Sequence, residues 1–288
     1  VTAIDIDASE RIILSLKDAD GRSISGAELS LAADGGFISG RTLADGSYQI
    51  NPAELFKSKQ GKSDMLEIRI NGGPLLPGFS ETVTIDRNGA RTVNVAADET
   101  RIIPNPIPLD IVFVMDTTGS MGEEIQRLKN TIQIIHMNLS SLNVAAEIRF
   151  GMVLYKDVGD EYRTAVIQLT EDLDAFRFAL DQVSASGGGD TPEDLEAALN
   201  DLVNGMEWNP AGIKLSYVIT DAAPHLDYET NYSTADALRD ARKQGIKIFT
   251  IGTGGLDLQG EYNLRQIAQY TSARYIFLTY GSETGESE

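Results

Sequence analysis

Two patterns of apolar and polar positions divide the chain. Over the first hundred residues, apolar and polar residues alternate in short runs: RIILSLK (11–17), AELSLAA (27–33), MLEIRI (65–70), ETVTID (81–86) and RTVNVA (91–96). A period of two sends successive side chains to opposite faces, so each run predicts a half-buried β-strand. Asp20-Gly21, Asp45-Gly46, Asn71-Gly72 and Asn88-Gly89 supply turns between them. PAELFKS (52–58) has room for one helical turn or two. Strands at this spacing predict an all-β sandwich over residues 1–100.

From residue 109 the pattern changes. LDIVFVM (109–115) is almost wholly apolar, as expected of a strand covered on both faces. Ile125, Leu128, Ile132, Ile135 and Leu139 then recur three and four apart, the spacing of an amphipathic helix. AEIRFGMVLY (146–155) and TAVIQL (164–169) predict a hairpin. Helices follow through Leu173, Phe176, Leu180 and Val183, and from Thr191-Pro192 through Leu195, Leu199, Leu202 and Val203. Next come a strand at 213–220, a helix over 234–243 ending at Gly245, a strand at 246–251, a helix near 261–270 and a strand at 275–278. Strands separated by helices predict an α/β fold. The expected architecture is a doubly wound, mainly parallel sheet with one antiparallel edge strand, over residues 109–280. Residues 101–108, with Pro104, Pro106 and Pro108, read as an extended linker. Residues 281–288 read as a solvated tail.

Charge narrows the function classes. The chain of 288 residues carries a net charge of −19, with −5 in residues 1–100 and −14 in the remainder. That excess excludes a binder of phosphate backbones and a basic membrane-surface protein. No run of apolar residues is long enough to span a bilayer. The absence of cysteine removes disulfides, thiolate metal sites and thiol nucleophiles together.

Three segments meet at the carboxyl ends of the predicted parallel strands, where such sheets bind ligands. They are Asp116-Thr117-Thr118-Gly119-Ser120-Met121, Gly187-Gly188-Gly189-Asp190-Thr191-Pro192 and Thr220-Asp221. Asp116, Thr118, Ser120, Thr191 and Asp221 together offer two carboxylates and three hydroxyls. Hard oxygen donors of this kind suit Mg²⁺, Mn²⁺ or Ca²⁺. With two formal negative charges, such a site leaves the metal able to accept a further carboxylate from outside.

DTTGSM, GGGDTPED and VITDAAPH resemble the three loops of a von Willebrand factor A domain, in order and spacing, across residues 108–280. The resemblance implies a metal-ion-dependent adhesion site. Its cation, Mg²⁺ or else Mn²⁺ or Ca²⁺, would sit on Asp116, Thr118, Ser120, Thr191 and Asp221. It implies a protein partner that presents an Asp or Glu carboxylate, and an extracellular, cell-surface or periplasmic setting. Integrin β-subunits, in the same family, carry a second cation fed by acidic residues after the first loop, where Glu123 and Glu124 fall here. In the first hundred residues, GRSISGAELSLAADGGFISGRTLADGSYQI (21–50) resembles bacterial surface modules of the carboxypeptidase-regulatory or Ig-like type.

Plainer readings compete at several positions. Thr191 sits where a helix N-cap belongs, with Pro192 at the first helical position and Asp194 at the third. Ser120 could cap the helix that begins near Gly122. Asp190 is either a supporting acid or a turn residue. Tyr155, Asp157 and Asp160 fall in the loop of the predicted hairpin, as ligand rim or as solvated loop. His136 falls on the polar face of its helix, and Trp208 packs at a helix end. QGKSD (60–64) lacks the first glycine of a phosphate loop, and DADGRS (18–23) reads as a β-turn rather than a Ca²⁺ loop. Two other functions remain open. One is a structural subunit whose metal only stabilises or is vestigial; the other is a serine hydrolase built on Ser120, Asp221 and His225.

Overall fold

The alternating runs close two β-sheets on a shared core. The computed structural model describes residues 1–33, 36–56, 64–189 and 191–279. In chain order its first elements are β1 (Ile12–Lys17), β2 (Glu28–Ala33), β3 (Gly36–Arg41), β4 (Ser47–Ile50), α1 (Pro52–Leu55), β5 (Met65–Asn71), β6 (Ser80–Asp86) and β7 (Thr92–Ala96). One sheet has the order β4-β1-β7 and the other β3-β2-β5-β6. Ile12, Leu14 and Leu16 of the first meet Leu29, Leu31, Ile68 and Ile70 of the second in one buried cluster. β3 breaks the alternation, β4 is only four residues long, and both escaped the pattern. Gly40 in β3 is required because a side chain there would collide with the Tyr48 ring of β4.

The helix-strand region is a single six-stranded sheet. Its elements are β8 (Ile107–Asp116), α2 (Gly122–Ser140), β9 (Ala146–Tyr155), β10 (Thr164–Thr170), α3 (Leu173–Asp181), α4 (Leu195–Asn200), β11 (Ile213–Thr220), α5 (Thr234–Gln244), β12 (Ile246–Gly252), α6 (Leu258–Tyr270) and β13 (Tyr275–Phe277). The order is β10-β9-β8-β11-β12-β13. All neighbours are parallel except β9 and β10, which form the expected hairpin. β8 is buried on both faces. Val112 and Val114 join the cluster under α4, α5 and α6, while Ile111, Phe113 and Met115 join the cluster under α2 and α3. The strand order runs outward from β8 in both directions, so the connections leaving β8 and β11 part company at their carboxyl ends. This topological switch point leaves a crevice, and Asp116 and Thr220 end the two strands that flank it.

Local caps correct two helix starts. α4 begins at Leu195, with the Asp194 carboxylate accepting the Ala197 N–H at 3.0 Å; Thr191 is therefore not its cap and Pro192 not its first residue. α6 begins at Leu258, capped by Asp257, whose carboxylate accepts from Gly260 N at 2.7 Å. α5 carries a reciprocal cap between Ser233 and Asp236 and ends at Gly245, whose φ of 72° suits glycine. His136 is half-buried, with its ring 6.2 Å from Phe150, rather than on a wholly polar face. Trp208 packs at its helix end and donates to Leu202 O at 2.8 Å.

The two regions are packed together. Glu54 of α1 accepts Arg239 Nε at 2.6 Å and Tyr270 OH at 2.6 Å. Arg242 lies between the rings of Tyr48 and Tyr270, at 5.2 and 4.6 Å. The chain start departs from the expected division. Ile4 is buried in the α/β core, and Thr2 exchanges hydrogen bonds with Gln259 and Asn263 of α6. An apolar side chain at position 4 finds its burial there, ahead of the first strand. Among the described residues, no helix is long and apolar enough to cross a membrane. The tail 281–288, Asp190 and most of the 60–64 segment lie outside the described residues.

Candidate metal centre

Asp116 closes β8 and is fully buried. Its Oδ1 accepts the Thr118 N–H at 2.9 Å and the Thr118 hydroxyl at 2.7 Å. Its Oδ2 accepts the Thr220 hydroxyl at 2.8 Å. Burial pushes the carboxyl above the usual carboxylate range, the bonds from Thr118 and Thr220 oppose this, and the charge of Asp221 adds to it. A carboxylate held this way has its donors arranged and, among the described residues, forms no ion pair.

The other predicted residues differ in their surroundings. Thr118 is buried. Ser120 is exposed on the single 3₁₀ turn Gly119–Met121; α2 begins at Gly122 with no side-chain cap, so Ser120 does not serve as one. Asp221 is half-buried just past β11, with Gly255 against it; a Cβ on Gly255 would lie 3.6 Å from Asp221 Oδ2. Thr191 is exposed three residues past Gly188, and a Cβ on Gly188 would come within 2.8 Å of Thr118 Cβ. Hydrogen bonds thus join Asp116, Thr118 and Thr220, and Asp221 acts on Asp116 through its charge. Ser120 and Thr191 stand exposed on the adjoining turns and are not bonded to that set.

The donors fit a hard cation that keeps several waters. They are carboxylates and hydroxyls, with no imidazole or thiolate in the set. Among the described residues, no three acidic or histidine side chains converge into a preformed cage. Glu123 faces Arg127 at 3.7 Å in the first turn of α2, and Glu124 borders an apolar groove beside Ile111 and Phe113; the two are not drawn together with a third acid. His225 Nδ1 lies 2.8 Å from Asp227 and its ring stacks on Tyr228. Among the described residues no hydrogen bond links it to Ser120 or Asp221.

Sequence reading missed several residues here. Tyr155 is the last residue of β9, not part of a loop, and is buried beneath the site. Burial first, then the charges of Asp116, Glu193 and Asp221, push its hydroxyl well above its ordinary range. Glu193 is a third carboxylate at the site, 2% exposed, beside Gly188. Its backbone N–H donates to Ala223 O and its carbonyl accepts from His225 N, both at 2.9 Å. In sequence it resembled an ordinary first-turn acid. Lys156 is 1% exposed and donates to the Ser186 hydroxyl at 2.7 Å. Only its place directly after a long apolar strand hinted at burial.

A sequence model of the von Willebrand factor type A domain matches residues 110–284. The chain is 29% identical over 168 residues to "Alpha-protein kinase vwkA" of Dictyostelium discoideum, covering 56% of this chain and 26% of that protein. It is 29% identical over 177 residues to human "von Willebrand factor A domain-containing protein 7", covering 56% and 19%. It is 22% identical over 208 residues to human "Integrin beta-6", covering 63% and 24%. The chain therefore spans about a quarter or less of these relatives. Among solved structures, proximal thread matrix protein 1 of the mussel byssus aligns with a TM-score of 0.44 at 19% identity, covering 62% of this chain and 43% of that one.

Proposed function

The chain belongs to the von Willebrand factor type A domain family, and from that premise we propose that it is a divalent-cation-dependent protein-binding or adhesion module. The cation, Mg²⁺ or else Mn²⁺ or Ca²⁺, is held by Asp116, Thr118, Ser120, Thr191 and Asp221, with Thr220 orienting Asp116. When bound, it supplies a Lewis-acidic position for a partner's Asp or Glu carboxylate. The observation that carries this reading is the buried Asp116, whose two oxygens are both hydrogen-bonded by hydroxyls and a backbone N–H and which, among the described residues, forms no ion pair. The chain's own residues do the rest: Thr118 and Thr220 fix the carboxylate, and Gly188 lets the second loop approach Thr118.

The rim is acidic, through Asp157, Asp160, Glu161, Asp227 and Glu229. Of the basic side chains next to these acids in the chain, Lys156 is buried and donates to Ser186, and Arg163 donates to Asp194. The partner's carboxylate is therefore one flanked by basic groups, which offset the repulsion of the rim. We read residues 1–100 as an Ig-like or carboxypeptidase-regulatory-like β-sandwich that acts as a spacer, and the setting as extracellular, cell-surface or periplasmic. Direct titration with Mn²⁺ tests the core of the proposal. Wild type binds a single ion of the millimolar class or tighter, and Asp116→Asn does not; equal binding by both would remove the site.

A further inference from the structure

The β9–β10 hairpin loop, residues 156–162, bonds to the first and second loops of the candidate metal centre and to Tyr228 beyond the third. Tyr162 OH lies 2.7 Å from Thr117 Oγ1. Since that hydroxyl donates to Tyr155 O at 2.9 Å, Tyr162 donates to Thr117 in the first loop. Lys156 Nζ donates to Ser186 at 2.7 Å, at the start of the second loop, and lies 4.8 Å over the Tyr162 ring. Asp160 accepts the Gly188 N–H at 3.2 Å on each oxygen, and a side chain on Gly187 would collide with its carboxylate. Asp157 accepts Tyr228 OH at 2.7 and 2.9 Å, which anchors the segment after Asp221. The second loop in turn meets the first, through Ser186 N to Thr117 O at 3.0 Å and Gly119 N to Gly187 O at 3.1 Å.

We propose that the 156–162 loop is the positioning element of the cation site, with Lys156, Asp160 and Tyr162 as positioning residues that set the separation of the donor-bearing loops. The inference rests on the cation reading above. None of these three side chains is a ligand. They act on affinity because a cation accepts its oxygens only over a narrow range of distances, and the donors Ser120 and Thr191 stand exposed on loops whose spacing these bonds help to set. One hairpin bonded to the first and second loops, and through Asp157 to Tyr228 beyond the third, supplies a further restraint.

The test is Mn²⁺ affinity, read by water-proton relaxation on the whole chain, alongside the melting midpoint in EDTA. Asp160→Ala, Tyr162→Phe and Lys156→Met each weaken Mn²⁺ by about tenfold or more, in the range known for residues that orient metal ligands. Lys156→Arg recovers most of the loss, which a packing role alone would not restore. Because Lys156 is buried, its methionine variant could misfold; Asp160→Ala, in a half-exposed loop, keeps the measurement decisive and melts in EDTA within a few degrees of wild type. Wild-type affinity in both Asp160→Ala and Tyr162→Phe overturns the proposal. A wild type that binds no Mn²⁺, or binds it as well as Asp116→Asn does, overturns the cation reading instead, and this inference falls with it.

Discussion

Replacing Asp116 by asparagine isolates the charge of the candidate centre. The amide is the same size as the carboxylate. Its oxygen can keep both bonds from Thr118, at 2.9 and 2.7 Å in the native protein. Its nitrogen would face the Thr220 hydroxyl, which can turn to Ala222 O, already 3.4 Å away. The rearrangement costs about one hydrogen bond, or roughly 1 kcal/mol. Loss of a buried charge that burial already disfavours offsets it. In EDTA the variant therefore melts close to wild type. With cation the two diverge. At about 100 times Kd an ion stabilises by about 2.7 kcal/mol. For a domain of this size that raises the melting midpoint by roughly 5–10 °C. Thermal unfolding in EDTA, Mg²⁺, Mn²⁺ and Ca²⁺ reads both effects. An equal cation-dependent rise in wild type and variant, or none in wild type at saturating ion, would refute the reasoning.

Three further outcomes follow from the packing. Burial lowers the Lys214 ammonium from 10.5 to about 8, so the folded state loses this proton first and stability rises between about pH 8 and 10.5. The penalty is fully present below pH 8, and Lys214→Met flattens that slope, as urea unfolding across pH would show. Glu54→Ala leaves the buried Tyr270 hydroxyl and Arg239 without their shared acceptor; unfolding free energy drops by about 1–3 kcal/mol, whereas an unchanged value would mean that the contact between the regions contributes nothing. Gly188→Ala meets both a φ of 76° and a 2.8 Å approach to Thr118. It destabilises by about 1–3 kcal/mol, with Mn²⁺ affinity lowered more than that of a surface alanine variant.

The sheet was legible because its signal is local. β8, β9 and β11 are long apolar runs, and their separation by amphipathic helices leaves few topologies. The first loop was legible for the same reason, since Asp116, Thr118 and Ser120 follow one strand end within five residues. What stayed hidden depends on distant partners. β3 and β4 are short, and one of them needs a glycine only because Tyr48 lies across from it. Thr191-Pro192 imitates a helix start, but the cap belongs to Asp194, which the fold also pairs with Arg163. Lys156, Glu193 and Tyr155 are polar residues at strand and helix ends, where sequence alone suggests solvent. Their burial follows from loops converging at the switch point, which no spacing rule encodes.

The chain's first residues give the fold a particular mechanics. Thr2 and Ile4 are fastened to α6, through Gln259, Asn263 and Gln266, before the chain turns away into the two-sheet region. Tension applied at Thr2 therefore enters the α/β sheet directly, at the helix that precedes its edge strand β13. The seven-stranded region lies off that load path, held to the side by Glu54 and Arg242, and it feels force only after the first few residues peel away. Under load the α/β region would bear the strain first, and the two-sheet region would act as slack held in reserve.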